Sequence, residues 1–418
     1  MKKKVLIHSI AFSPDGVSTA YLYNDIAISL QENGYEVVVL TTTPHYNVVK
    51  EAIEKQNLKR KFFGLYYVSD FQGIKVYHVY QFKFKNILLR MIGFVFWHFF
   101  SILLGLSIRK ISFIVSPSPP LTIGLVSIII GKIKRAKIVY NVQEIYPDLL
   151  IDQGVTKNKL ILKILEKLEK MVYNYSDAVV TIDKIFYNII KPRFKDVSKL
   201  SIIPNFVDSE LYRPISQYAD DLDKQFFPET DALKLMYAGN IGYAQDWTTL
   251  LGIAESLKAH SIEFFVIGEG VLKQQLIDNI KERDLQNIHI IPYQPRESMP
   301  SLINYADLHF IFMSSETDKH GFPSKVYTIM ACKKPLVITS GEDTPIFNFL
   351  SNKNCAFMVT THHEEEKQEQ VKKYLLSVLK NRSQLTQLGE NGYSHIETKY
   401  TKKVVINKYI TLINSLSD

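Results

Sequence analysis

Chemistry suited to anions is written most clearly in Gly321 to Pro335, GFPSKVYTIMACKKP. Pro323 suits the first helical position, where its missing N–H would have had no partner. Val326, Ile329 and Met330 then recur at i, i+3 and i+4 as one apolar face. Lys333 and Lys334 fall in the expected last turn, where cations suit the negative end of a helix. The N–H groups of Ser324 and Lys325 thus face out of a positive helix start, with an ammonium beside them, as a phosphate requires. An ordinary capped surface helix carries the same pattern, so the stretch alone leaves both readings open.

Such residues need elements to position them. Val5–Ile10 is an apolar run, followed by the loop Ala11–Gly16, a helical pattern closing at Asn33-Gly34, and a strand at Val37–Leu40. Strand, helix, strand in this order implies a parallel sheet. Further strands are expected at Ile111–Val115, Ile138–Val142, Ala178–Ile182 and Leu200–Ile203, with an amphipathic helix over Lys159–Val172. Ligands collect at the carboxyl ends of such strands. That singles out Gly16, Ser116, Ser118, Gln143, Glu144, Pro147 and Asp148. A plain turn at Gly16, and solvated loops or a helix cap at the others, are the competing explanations.

A second alternating set follows. Its strands are expected at Leu235–Tyr237, Phe264–Ile267 (ending in Gly268-Glu269-Gly270), Ile288–Ile291, Leu308–Phe312 and Leu336–Thr339, with a helix over Leu250–His260. Residues 213–233 mix proline, aspartate and other polar types, as a linker does. The expected division is therefore 1–213 and 214–401, with a helix over 402–418 placed to pack back on the first domain. Asp220, Asp221 and Asp223 could be taken for a metal motif, but no strand delivers them to a pocket, so they read as a solvated acidic loop.

The 418 residues exceed one ordinary core and suit two domains. Two cysteines, Cys332 and Cys355, support neither a disulfide framework nor a zinc site, and a reducing cytosol fits. The basic start MKKKVLIHSIAF has a short apolar run and no small-residue cleavage pattern, so it is taken as a first strand. Charge is uneven: residues 1–213 hold 29 basic and 17 acidic side chains, a net of +12, against 21 and 25, a net of −4, in the remainder. The first half should face something anionic, and without a zinc finger or RNA-binding signature a membrane surface is preferred to nucleic acid. Met91–Ile108 approaches the length of a membrane span. Its glycine and serine breaks and His98 favour instead a helix partly buried in the domain, with aromatics over Phe94–Phe100 offered to the lipid interface.

The order of these pieces resembles the retaining glycosyltransferases of family four, of GT-B architecture: α/β, with two Rossmann-like domains of parallel sheet facing across a cleft. The markers are FSPDGVSTA, IIPNFVD, YAGNIGYAQD, FVIGEGVLKQQL, HIIPYQPRESMPSLINYADLHF and GFPSKVYTIMACKKP, and the likeness spans nearly the whole chain. Within the family it is similar to transferases that build lipid-linked capsule and O-antigen repeats, including the N-acetylfucosamine-transferring type. The resemblance implies transfer of a hexose from a nucleotide-diphosphate sugar, a UDP-sugar, to a polyprenyl-diphosphate-linked saccharide at the inner face of the plasma membrane. Retention would need no enzyme nucleophile, since the leaving phosphate takes the acceptor proton. No cofactor and no metal is implied.

By the same likeness, Gly16, Gly268, Gly321, Phe322, Pro323, Ser324 and Lys325 would hold the donor, with Pro292 and Tyr293 bordering its base. Ser116, Ser118, Gln143 and Glu144 would face sugar or acceptor, and Lys325 and Glu144 would be the catalytic pair. Four departures stand out. The family's two glutamates fall here on His320 and Thr328, and its diphosphate-binding Arg and Lys on Asn240 and Gln245. Lys325 must then carry more of the charge stabilisation, and Glu316 could replace the first carboxylate if its loop folds back. Two rivals remain: a nucleotide-sugar epimerase of the same fold, and a membrane-docking scaffold that has lost activity.

Overall fold

The computed structural model describes residues 2–417 except 47, 49, 83–86, 153–155, 217–221 and 320–321. The chain forms two compact units, one of residues 1–205 with 403–418 and one of residues 206–402.

The first unit is built on nine strands: β1 (Lys4–His8), β2 (Glu36–Thr42), β3 (Lys59–Lys61), β4 (Tyr66–Phe71), β5 (Ile74–Val79), β6 (Ile111–Pro117), β7 (Lys137–Val142), β8 (Ala178–Thr181) and β9 (Leu200–Ile202). Their order is β3-β4-β5-β2-β1-β6-β7-β8-β9. Pairing is parallel except that β4 runs antiparallel to both β3 and β5. The direction of winding reverses beside β1, so the carboxyl ends of β1 and β6 flank a crevice where ligands gather. Central strands are apolar on both faces, with Leu6, Ile114, Tyr140 and Val179 buried in one core. The closing helix Lys402–Ser415 buries Val405, Ile406, Tyr409 and Ile413. It is tied to this unit through Asn141, which donates to the Tyr409 hydroxyl at 2.6 Å, and Tyr35, which donates to Asn414 at 2.7 Å.

The second unit holds β10 (Leu233–Ala238), β11 (Ile262–Ile267), β12 (Ile288–Ile291), β13 (Leu308–Phe312), β14 (Leu336–Thr339) and β15 (Ala356–Val359), in the order β12-β11-β10-β13-β14-β15 and all parallel. Winding reverses between β10 and β13.

Several expectations need correction. The unit boundary falls at 205/206, and the expected linker is part of the second unit, with Leu222 and Phe227 buried in its core. Of the DDLD run, Asp220 and Asp221 lie outside the described residues. As expected, residues 91–107 lie in a partly buried helix, Ile87–Ser107, with Trp97 and Ser101 buried. Among the described residues no helix is long and apolar enough to cross a membrane. The helix begun at Pro323 runs from Lys325 to Ala331, so Lys333 and Lys334 lie beyond it. Lys333 takes a left-handed conformation and pairs with Glu390 at 2.8 Å, and Lys334 donates to the Asn304 carbonyl at 2.8 Å.

Candidate functional site

The switch point of the second sheet assembles a cation. At the end of β10, Tyr237 is buried and donates its hydroxyl to the Asn240 carbonyl at 2.8 Å, which fixes the ring. The Lys325 ammonium rests over that ring, 3.7 Å from its centroid. Among the described residues it has no hydrogen-bond or ion-pair partner. Gly239 makes room for it: a Cβ there would collide with Lys325 Nζ. Gly268, at the end of β11, has φ +146, and a Cβ on it would overlap the Gly239 carbonyl oxygen. The two glycines thus bring the strand ends together and leave space for the lysine. Burial without a counterion lowers the Lys325 ammonium from the usual lysine range to about 7. The ring face recovers part of that loss by cation–π attraction. The result is a cation that gains most when an anion arrives.

The other expected donor residues divide around this point. Ser324 is exposed at the helix cap, and Pro323 accepts from the Val326 N–H at 3.0 Å. His320 and Gly321 lie outside the described residues. Phe322 packs in an aromatic cluster with Tyr327 and Phe349. Thr328 donates its hydroxyl back to the Lys325 carbonyl at 2.8 Å, an ordinary helical back-bond. Asn240 has an exposed side chain and contributes its carbonyl to Tyr237. Pro292 and Tyr293 are exposed just past β12, where the Tyr293 backbone N–H bonds the Glu269 carboxylate next to Gly268.

Gln245 lies elsewhere. It lines a cavity of about 430 Å³ with Trp247, Ser314, Glu316 and His362. Its Oε1 is buried and has no partner among the described residues. Glu316 is therefore brought to Gln245. One carboxylate that sequence reasoning missed is Asp318. It is buried; one oxygen accepts from the Gly341 N–H at 2.9 Å and the other has no partner among the described residues. Nothing in the local sequence marks Asp318 as buried. Tyr237 was missed for a similar reason, since an aromatic at a strand end reads as core.

In the first unit, the polar residues at the strand ends hold one another. The Ser118 hydroxyl donates to the Glu144 carbonyl at 3.1 Å and accepts from the Gln143 and Glu144 N–H groups at 3.0 and 3.1 Å. Gln143 exchanges two amide bonds with Asn205, both 2.9 Å. Ser118 and Gln143 thus brace the loop that carries Glu144. Asp148 forms a two-oxygen ion pair with Arg193, which also holds buried Glu169 at 2.6 Å. Ser116 is buried, and its hydroxyl has no partner among the described residues. Glu144 is half-buried at the end of β7 and accepts from the Tyr146 hydroxyl at 3.2 Å; burial raises its carboxyl above the usual range. Gly16 donates to the Tyr46 carbonyl at 2.8 Å in a loop organised by buried Asp15, which accepts from the His45 and Tyr46 N–H groups at 2.7 and 2.8 Å.

Two units, each built on a largely parallel sheet, have the GT-B fold. Residues 219–395 match the family described as "Glycosyl transferases group 1". The chain is 22% identical over 343 residues to the putative colanic acid biosynthesis glycosyl transferase WcaI of Escherichia coli K12, covering 81% of this chain and 83% of that one. Its fold is that of Anabaena Alr3699/HepE, solved in complex with UDP: TM-score 0.72, 12% identity, 99% of this chain and all of that one. It is also that of WaaG, a glycosyltransferase involved in lipopolysaccharide biosynthesis: TM-score 0.68, 12% identity, covering 98% and 99%. The chain is thus similar in sequence to glycosyltransferases and has their GT-B fold.

Proposed function

We propose that the enzyme transfers a hexose, N-acetylated or deoxygenated, from a UDP-sugar to a lipid-linked saccharide. Transfer proceeds with retention and without metal, at the inner face of the plasma membrane, in the synthesis of a surface polysaccharide such as capsule or O-antigen. The observation that carries this reading is the desolvated Lys325 ammonium over Tyr237, poised for negative charge. That the HepE structure holds UDP supports the choice of nucleotide.

As the bond to the leaving diphosphate breaks, charge grows on its oxygens. A cation fixed at that point helps the transition state more than the ground state. The diphosphate, gaining that charge, can take the acceptor hydroxyl proton on the face it leaves. Glu144, its carboxyl raised by burial, orients the acceptor saccharide. The test is transfer from a panel of nucleotide sugars to a short-chain lipid-diphosphate saccharide, with wild type and Lys325→Met. Lys325→Met should lose about 10²–10³ in turnover, as expected for removing one oxyanion donor. A folded variant of near-normal turnover would place the diphosphate elsewhere.

A further inference from the structure

Two neighbouring phenylalanines point away from every core. Phe62 and Phe63 are 67% and 92% exposed, more than any arrangement driven by burial would leave them. Both are held at positive φ, 44° and 56°, a conformation that bulky side chains rarely adopt. Arg60 fixes the turn by donating to the Phe63 carbonyl at 2.6 Å, and Leu65 N–H donates to the Phe62 carbonyl at 3.1 Å. Strain kept in this way without a packing return points to a function outside the folded chain. Lys59, Arg60 and Lys61 precede the pair, all exposed and none in an ion pair among the described residues.

The topology sets this tip beside two more apolar surfaces. β3 runs parallel to β5, because each is antiparallel to β4, so the turn after Lys61 lies at the carboxyl end of the sheet. The Tyr80 N–H, just past β5, donates to the Leu65 carbonyl at 3.0 Å. The helices Ile87–Ser107 and Lys159–Tyr175 follow β5 and β7, so both begin at that same end. Their early outward residues are apolar: Met91, Ile92 and Val95 on the first, Leu160 and Ile164 on the second, each more than half exposed. One rim of the unit therefore carries apolar groups on three elements, with a basic edge.

We infer that this rim, led by the Phe62–Phe63 tip, docks the first unit on an anionic lipid surface. The rings and aliphatic side chains would enter the interface while Lys59 and Lys61 meet the head groups. Charge decides the occupant: the net of +12 over residues 1–213 repels a second copy of the same rim and suits an anionic leaflet. The inference rests on the membrane setting of the proposed function and names the surface responsible. The strand ends bearing Ser116 and Glu144 lie at that same end, so a lipid-linked saccharide would present its sugar there.

The test is co-sedimentation of the full chain with vesicles of phosphatidylcholine alone and with a third phosphatidylglycerol. Wild type should bind the anionic vesicles at least about tenfold more tightly, as expected from roughly one basic contact's worth of attraction per lysine. Phe62→Ser with Phe63→Ser should weaken that binding by about tenfold or more, given the apolar area withdrawn from the interface. Lys59→Glu with Lys61→Glu should remove the preference for anionic lipid. Both sites are exposed, so thermal unfolding should be unchanged. Vesicle binding by the phenylalanine variant equal to wild type would overturn the inference, as would dissociation of a dimer with no change in vesicle binding. Transfer to a short-chain, water-soluble acceptor without vesicles is read in parallel. If it is absent in wild type while the phenylalanines still govern vesicle binding, the proposed function fails and the docking surface stands.

Discussion

The proposed contact between Lys325 and the donor diphosphate predicts pH-dependent donor binding in a direction set by the lysine. In the free enzyme burial lowers its ammonium to about 7. A bound diphosphate favours the charged form and raises it again, so binding above pH 7 must take up a proton. The diphosphate of an intact nucleotide sugar is esterified at both ends and holds its charge from pH 6 to 8.5, so the lysine is the group that titrates there. Below pH 7 it is protonated in both states, and affinity is flat. Above pH 7 affinity falls up to tenfold per pH unit, about thirtyfold in all between pH 6 and 8.5. Titration calorimetry of a UDP-sugar in buffers of different ionisation enthalpy reads both quantities: the fall in affinity, and an uptake near one proton per ligand at pH 8. Lys325→Arg keeps its charge throughout and should flatten the profile at high affinity. Lys325→Met should flatten it at low affinity. A wild-type profile without proton uptake would refute the reasoning, because the ammonium would then not meet the diphosphate.

Other consequences follow from individual contacts. Gly239→Ala places a methyl where the Lys325 ammonium sits, so nucleotide binding should fall about as far as in Lys325→Met while the chain stays folded by circular dichroism. Gly268→Ala overlaps backbone and should lower stability by roughly 1–3 kcal/mol in chemical denaturation. Arg193→Ala leaves Glu169 buried without its cation and should cost about 3–5 kcal/mol, read as a lower melting temperature. On the proposed reading Lys325 offsets the diphosphate charge without a metal, so transfer should proceed unchanged in EDTA; loss of turnover rescued by magnesium or manganese would contradict that.

The strands of the second sheet were the most legible part of the sequence. Ile288–Ile291, Leu308–Phe312 and Leu336–Thr339 are apolar runs between turn residues, and the structure places strands at those bounds. The helix Lys402–Ser415 was equally plain. The β3–β5 segment was not, since its tyrosines and histidine alternate with polar residues and its pairing depends on the Gln72-Gly73 turn. At the site, Lys325 was visible from its place before an apolar helix face. Its partner was not: Tyr237 and Lys325 are far apart in the chain and meet because β10 and the loop after β13 end at one switch point. Ser118 and Gln143 show that a polar residue at a strand end can brace its own loop as readily as it can meet a ligand. Hydrogen-bond partners decide between the two, and those are set by tertiary contact.

The central claim, sugar transfer to a lipid-linked acceptor, is tested most directly by mass spectrometry of the acceptor after incubation with a panel of nucleotide sugars. The account predicts one donor that adds a single sugar residue to the acceptor, releases the nucleoside diphosphate in equal amount, and leaves the anomeric configuration as it was in the donor. Conversion of a donor to its epimer with the acceptor mass unchanged would contradict it.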